Sequence, residues 1–172
     1  MGDMAKDFNR SEFMCPCGCG KDDISQDFVN RLQDVKDYLK KCERGCKYII
    51  ITSGCRCAWH SVAVGGYRND MHVMSRAADF HAVDDNDNFY PAEQVAAVLE
   101  LFGFGGIGII DNFNVHADDR EKGGYSNNYW HGDERTGANN CSWANHIPPA
   151  KIINKHKISV FYDGKNIFEE EL

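Results

Sequence analysis

The sequence predicts an α+β fold: a small, mainly antiparallel sheet with two main helices packed against it. Three observations carry that expectation. Two stretches have apolar residues at helical spacing, several short runs have the β-branched or alternating character of strands, and two of the connections between runs read as hairpin turns. With 172 residues, 42% hydrophobic and 26% charged, the chain is long enough for one core and too short for two. Residues 1–172 are therefore expected to form a single domain.

The opening SEFMCPCGCGKDD reads as a loop in which Cys15, Cys17 and Cys19 alternate with Pro and Gly. Three thiolates so close could share a metal with a fourth from elsewhere, although this is not the CxxC knuckle of structural zinc sites. The eight cysteines form an even count, which suits disulfides, but the absence of a secretory signal favours reduced thiols.

A helix is expected from about Ile24 to Cys42, with Phe28, Leu32, Val35 and Leu39 on one face. Asp23 and Gln26 resemble a capping box at its start, and Gly45 follows its end. Tyr48 to Thr52 is a continuous β-branched and aromatic run, which predicts a buried strand. Cys57 to Met74 reads as a long loop with one short helix near His60 to Val64, and a loop of this length in a small domain is usually functional. A strand is expected over Ala77 to Val83.

The following DDNDN begins like a calcium loop but has Phe89 where Gly is needed and Val95 where Glu is needed, so it is a polar turn. Pro91 opens a second helix, about Ala92 to Phe102. Gly103, Gly105 and Gly108 have dinucleotide-loop spacing but follow a helix and lead into the strand Ile107 to Ile110, the reverse of the required order. Asp111-Asn112 turns that strand into a second one, Val115 to Ala117. Glu121 to Pro149 is rich in Gly, Asn and aromatics; a surface loop pinned by its aromatics and a substrate wall are both open there. Asp163-Gly164 predicts a hairpin in the tail.

The chemistry-bearing residues lie between the two helices and just after the second. His72 and Asp79 stand seven apart, the latter inside a strand, and His116 follows in another strand. Two imidazoles and a carboxylate from separate segments suit an open zinc site, in which three protein ligands leave the fourth position to water. A net charge of -7 argues against nucleic acid or an anionic membrane as partner. No apolar run approaches the ~20 residues needed to span a bilayer, and MGDMAKDFNR lacks the order of a secretory signal.

The order SG-x-R (Ser53, Gly54, Arg56), His60 four residues after that Arg, VGG, His-x6-Asp (His72, Asp79) and VH-x-D-x-R (Val115, His116, Asp118, Arg120) resembles the M15 group of zinc D,D-carboxypeptidases and L,D- or D,D-endopeptidases. That group shares a fold with the hedgehog signalling domain. The likeness is greatest to short forms from bacteriophage lysis and tail genes, and it covers roughly Asn9 to Arg120, including SEF-x-C-x-CG. The resemblance implies that His72, Asp79 and His116 hold zinc and that Arg56 binds a substrate carboxylate or the developing oxyanion. His60 matches a further recurrent position, as a substrate contact or a loop-satisfying residue, and Ser53 another, read as structural.

One departure concerns proton transfer. Relatives keep Glu or Asp three residues before the last ligand, or His two before it, where this chain has Phe113 and Asn114, and neither can take a proton. Asp118, on the same strand face as His116, is the first candidate for general base, with Asp111 and His131 behind it; its other role is support of the ligand histidine. His81 shares a face with Asp79 and is an outside possibility.

The expected function is zinc-dependent cleavage of a peptide bond in peptidoglycan stem or cross-link peptides by a monomeric phage endolysin, made in the host cytoplasm and acting on the wall. A non-catalytic zinc-containing wall-binding or tail module of the same fold is the alternative. A thiol-redox protein is disfavoured because CxxC is missing.

Overall fold

The computed structural model describes residues 2–151 and the backbone of two further strands at 158–162 and 165–170. Helix α1 (Gln26–Lys41) forms where Phe28, Leu32, Val35 and Leu39 recur on one face, and all four are fully buried. Its start corrects the expected capping box. Ser25 is the cap, its Oγ accepting the Phe28 N–H at 3.4 Å. Asp23 is engaged instead by the Ser75 hydroxyl at 2.6 Å and the Lys21 ammonium at 2.7 Å.

Six strands form one sheet: β1 (Tyr48–Ser53), β2 (Ala77–Val83), β3 (Gly106–Ile109), β4 (Asn114–Asp118), β5 (Asn128–His131) and β6 (Ala138–Asn139), in the order β1-β2-β4-β3-β5-β6. All neighbours are antiparallel except β3 and β5, so the sheet is mixed but mostly antiparallel. The β1 run corrects a second expectation. It is an edge strand and not a buried one, with Tyr48 and Ile50 half exposed while Ile49 turns inward. An unbroken β-branched run signals a strand, yet only sheet position decides whether both faces are covered.

Helices α1 and α3 (Ala92–Leu101) join one sheet face in a common core: Phe80, Ala78 and Ala82 from β2, Val115 and Ala117 from β4, and Ile107 and Ile109 from β3 pack with Phe28, Leu32, Val95, Val98 and Leu99. Removing each such large side chain from water stabilises by roughly 1.5–3 kcal/mol. The opening loop contributes as well, since Phe8 and Phe13 are fully buried in this core. The short helix α2 (Ala58–Ala63) lies in the β1–β2 connection as expected.

Pro91 caps α3, and the acidic turn before it is organised by Asp84, whose Oδ1 accepts the Asn86 and Asn88 N–H groups at 2.9 Å each. The β3–β4 hairpin turns through Asp111, whose Oδ1 accepts the Phe113 and Asn114 N–H groups. All eight cysteines are free thiols. Strands β7 (Ile158–Tyr162) and β8 (Lys165–Glu170) pair antiparallel as the tail hairpin predicts, while Asp163, Gly164 and His156 lie outside the described residues. Among the described residues no helix is long and apolar enough to cross a membrane.

Candidate metal centre

Alternation along β2 and β4 sends Ala78, Phe80, Val115 and Ala117 to the helices and leaves Asp79, His116 and Asp118 on the opposite face. On that face a single row of directly opposed residues crosses the whole sheet: Ser53, Asp79, His116, Gly108, Trp130 and Asn139. His72 is brought to this row by the loop after α2. That loop is folded around Asp70, whose carboxylate accepts the Ser61 hydroxyl, the Tyr67 N–H at 3.2 Å and the Val73 N–H at 3.0 Å.

Three donor atoms converge where the loop meets the row. His72 Nε2 lies 3.2 Å from His116 Nδ1 and 3.4 Å from Asp79 Oδ1, and His116 Nδ1 lies 2.8 Å from Asp79 Oδ1. Their tautomers follow from their other partners. Gly54 O, 2.7 Å from His72 Nδ1, can only accept, so Nδ1 carries the proton and Nε2 presents a lone pair. Asp118 Oδ2, 2.9 Å from His116 Nε2, likewise takes that N–H and leaves Nδ1 as a lone pair.

Two imidazole lone pairs and a carboxylate oxygen facing one another repel unless a cation or a shared proton lies among them. The charges respond accordingly. With no cation among them, burial works against a charged His116, but its hydrogen bonds to Asp118 and Asp79 outweigh that and raise it to about 9, so a proton takes the place between the donors. Burial alone would raise Asp79, yet His72 and His116 hold it far below the usual carboxylate range. This donor set fits a divalent zinc, which takes imidazole nitrogen and carboxylate oxygen together.

Asp118 is fully buried and heavily engaged. Besides His116 it accepts from Arg120 Nη2 at 2.7 Å, Arg120 Nε at 3.0 Å and the Arg120 backbone N–H at 2.9 Å. Burial would raise its carboxyl, but His116 and Arg120 hold it well below its ordinary value. Arg120 is fixed in turn by Glu134 Oε1 at 2.8 Å from Nη1.

Arg56 lies beside the donors, with Nη2 2.6 Å from Asp79 Oδ2 and Nε donating to Ser53 Oγ at 2.9 Å. Among the described residues its Nη1 carries no hydrogen bond. The other sequence candidates are elsewhere: His60 is within α2 and does not line the cleft, nor do Asp111, His81 or His131. His131 alternates away from Trp130 on β5.

The cleft over the donors, about 400 Å³, draws its far wall from the Gly- and Asn-rich segment after β4. Both readings of that segment hold for different aromatics. Tyr129 and Trp143 pack into the core, whereas Tyr125 and Trp130 line the cleft with Tyr67, Asp133 and Arg135. The Trp130 ring lies 5.1 Å from the His116 ring.

Glu134 and Asp70 were missed as site residues, whereas Trp130 belongs to the segment left open as a substrate wall; the clearest available signal for its position was Gly108. A Cβ there would meet the Trp130 indole at 2.4 Å, so glycine makes room for the ring above the sheet. Gly108→Ala is expected to destabilise by about 1–3 kcal/mol through overpacking and to shift Trp130 fluorescence. A urea midpoint and emission spectrum unchanged from the parent would show that the ring is not confined by this contact.

The family model described as Peptidase M15 matches residues 6–118, a span that contains all three donors and Arg56. No curated protein matches the sequence significantly.

Proposed function

The chain belongs to the peptidase M15 family of metallopeptidases, and from that premise we propose that it is a zinc peptidase cleaving a peptide bond in the stem or cross-link peptides of bacterial peptidoglycan, as a phage endolysin. The convergence of His72 Nε2, Asp79 Oδ1 and His116 Nδ1 at the floor of an open cleft carries this reading. Zinc held there would polarise the scissile carbonyl and bring water to a pKa of about 7.

The chain's own groups divide the remaining work. Arg56 is clamped at Nε and Nη2, so its free Nη1 is the donor left for a substrate carboxylate or for negative charge developing on the carbonyl oxygen. Trp130, Tyr125 and Tyr67 offer flat apolar surface for the peptide, and Arg135, paired with Asp133, joins Arg56 and Arg120 among the cations lining the cleft. A chain of net charge -7 thereby grips an acidic peptide locally. In this reading the protein acts on the wall as a monomer.

Of the two roles set out for Asp118, its contacts favour orienting His116 over taking a proton from water. Every oxygen of that carboxylate has a partner. Asp118→Asn is then expected to lower zinc affinity and activity together by about 10–100-fold. A fall in kcat with zinc affinity unchanged would return Asp118 to the role of general base.

The same saturation, with Phe113 and Asn114 where a base is expected, favours the second reading, a zinc-containing wall-binding or tail module without turnover. Incubation with purified sacculi separates the two. Release of soluble fragments supports the peptidase, and mass spectrometry of products from defined muropeptides names the bond. Binding to sacculi without any released fragment would leave the module reading standing and the peptidase reading refuted.

A further inference from the structure

Outside the cleft, four sulfurs gather where the opening loop meets the start of α2. Cys15, Cys17, Cys19 and Cys57 each offer an Sγ, and these four atoms all lie within 4.8 Å of one another. The Cys15 and Cys17 sulfurs are 3.3 Å apart, and those of Cys17 and Cys57 are 3.7 Å apart. Four sulfurs bound to one tetrahedral zinc at ~2.3 Å stand ~3.8 Å from each other. The observed spacing straddles that value.

Local backbone structure creates the cluster. Cys15 N–H donates to Lys21 O at 2.8 Å, closing the loop, and Gly18 and Gly20 take φ of +81° and +79°, the left-handed region open to glycine. The chain therefore curls, and thiols that would be strung along an extended segment share one side. Two amides already point at the sulfurs: Cys57 N–H donates to Cys15 Sγ and His60 N–H to Cys57 Sγ, both at 3.4 Å. Hydrogens aimed at sulfur favour the thiolate, which is the form that ligates a metal.

We infer that Cys15, Cys17, Cys19 and Cys57 bind a second zinc ion, structural and independent of the cleft. Four soft thiolates in tetrahedral array select zinc or iron, and a set of four protein ligands leaves no open position for chemistry. Binding releases whatever protons the thiols carry and leaves four thiolates against one dication; no electron is transferred. The ion ties the opening loop to Cys57, whose neighbour is Arg56. A second tie runs alongside, since Cys55 N–H donates to Phe13 O at 2.7 Å. The site thus braces the segment that presents Arg56 from outside the cleft.

The test is metal analysis of the full chain purified under reducing conditions without chelators. Two equivalents of zinc are expected in the parent. Cys17→Ser/Cys19→Ser should hold one, and His116→Ala should also hold one, from the opposite site. Cys17 and Cys19 are exposed, so their replacement leaves the core packing alone. Cobalt substitution provides a check that needs no cysteine variant: His116→Ala should keep the near-ultraviolet thiolate-to-cobalt charge-transfer band. Hydrogen exchange at the Cys55 amide should also quicken in the double-serine protein. One equivalent in the parent, lost entirely in His116→Ala, would overturn the inference. So would iron as the second metal, or disulfides among these four cysteines in protein that carries zinc in the cleft.

Discussion

His116→Ala is expected to reduce hydrolysis to background and to remove one equivalent of zinc relative to the parent, with the far-ultraviolet circular dichroism unchanged. The imidazole supplies one of three donors, and the two that remain, His72 and Asp79, do not hold zinc against water and buffer. His72→Ala and Asp79→Ala should behave alike in zinc content. Asp79→Ala also frees Arg56 Nη2, so its cleft should be more mobile as well. Unchanged zinc content in His116→Ala, measured by elemental mass spectrometry, would remove His116 from the ligand set and with it the proposed reaction.

The second large effect is expected at Arg56. Arg56→Lys keeps a cation but loses the planar fork that lets Nε hold Ser53, Nη2 hold Asp79 and Nη1 face the cleft at the same time. Removal of one pre-positioned donor to developing negative charge costs about 10²–10³ in kcat. Zinc content should stay at the parental value. Parental turnover in this variant would assign Arg56 to holding Asp79 and nothing more.

Much of the architecture was legible because it rests on local pattern. Helices α1 and α3, strand β2 and the β3–β4 hairpin each announce themselves by periodicity or by a turn residue, and their limits match within two residues. What escaped depends on partners distant in sequence. Strand β5 is four residues, NYWH, in a segment of low β character, and it exists because β3 pairs with it in parallel. The exposure of Tyr48 and Ile50 depends on which sheet face the helices cover, since Ile49 between them turns into the core. At the site, alternation could pair Asp118 with His116 on one strand face, whereas the delivery of His72 by its loop, the Arg120 clamp on Asp118 and the union of Cys57 with the opening loop, forty residues from Cys17, required the folded chain.

Asp79 and His116 face each other across β2 and β4, and that pairing makes the site a preorganised chelate. A slip of β4 by one residue would turn His116 toward the helices and bring Val115 or Ala117, both fully buried, into the cleft. The apolar core forbids that slip whether or not a cation is bound. The donors are consequently spaced by hydrophobic burial and by one backbone carbonyl, Gly54 O, which orients His72. An arriving ion would meet donors whose spacing is set on the other side of the sheet, by a core it never touches.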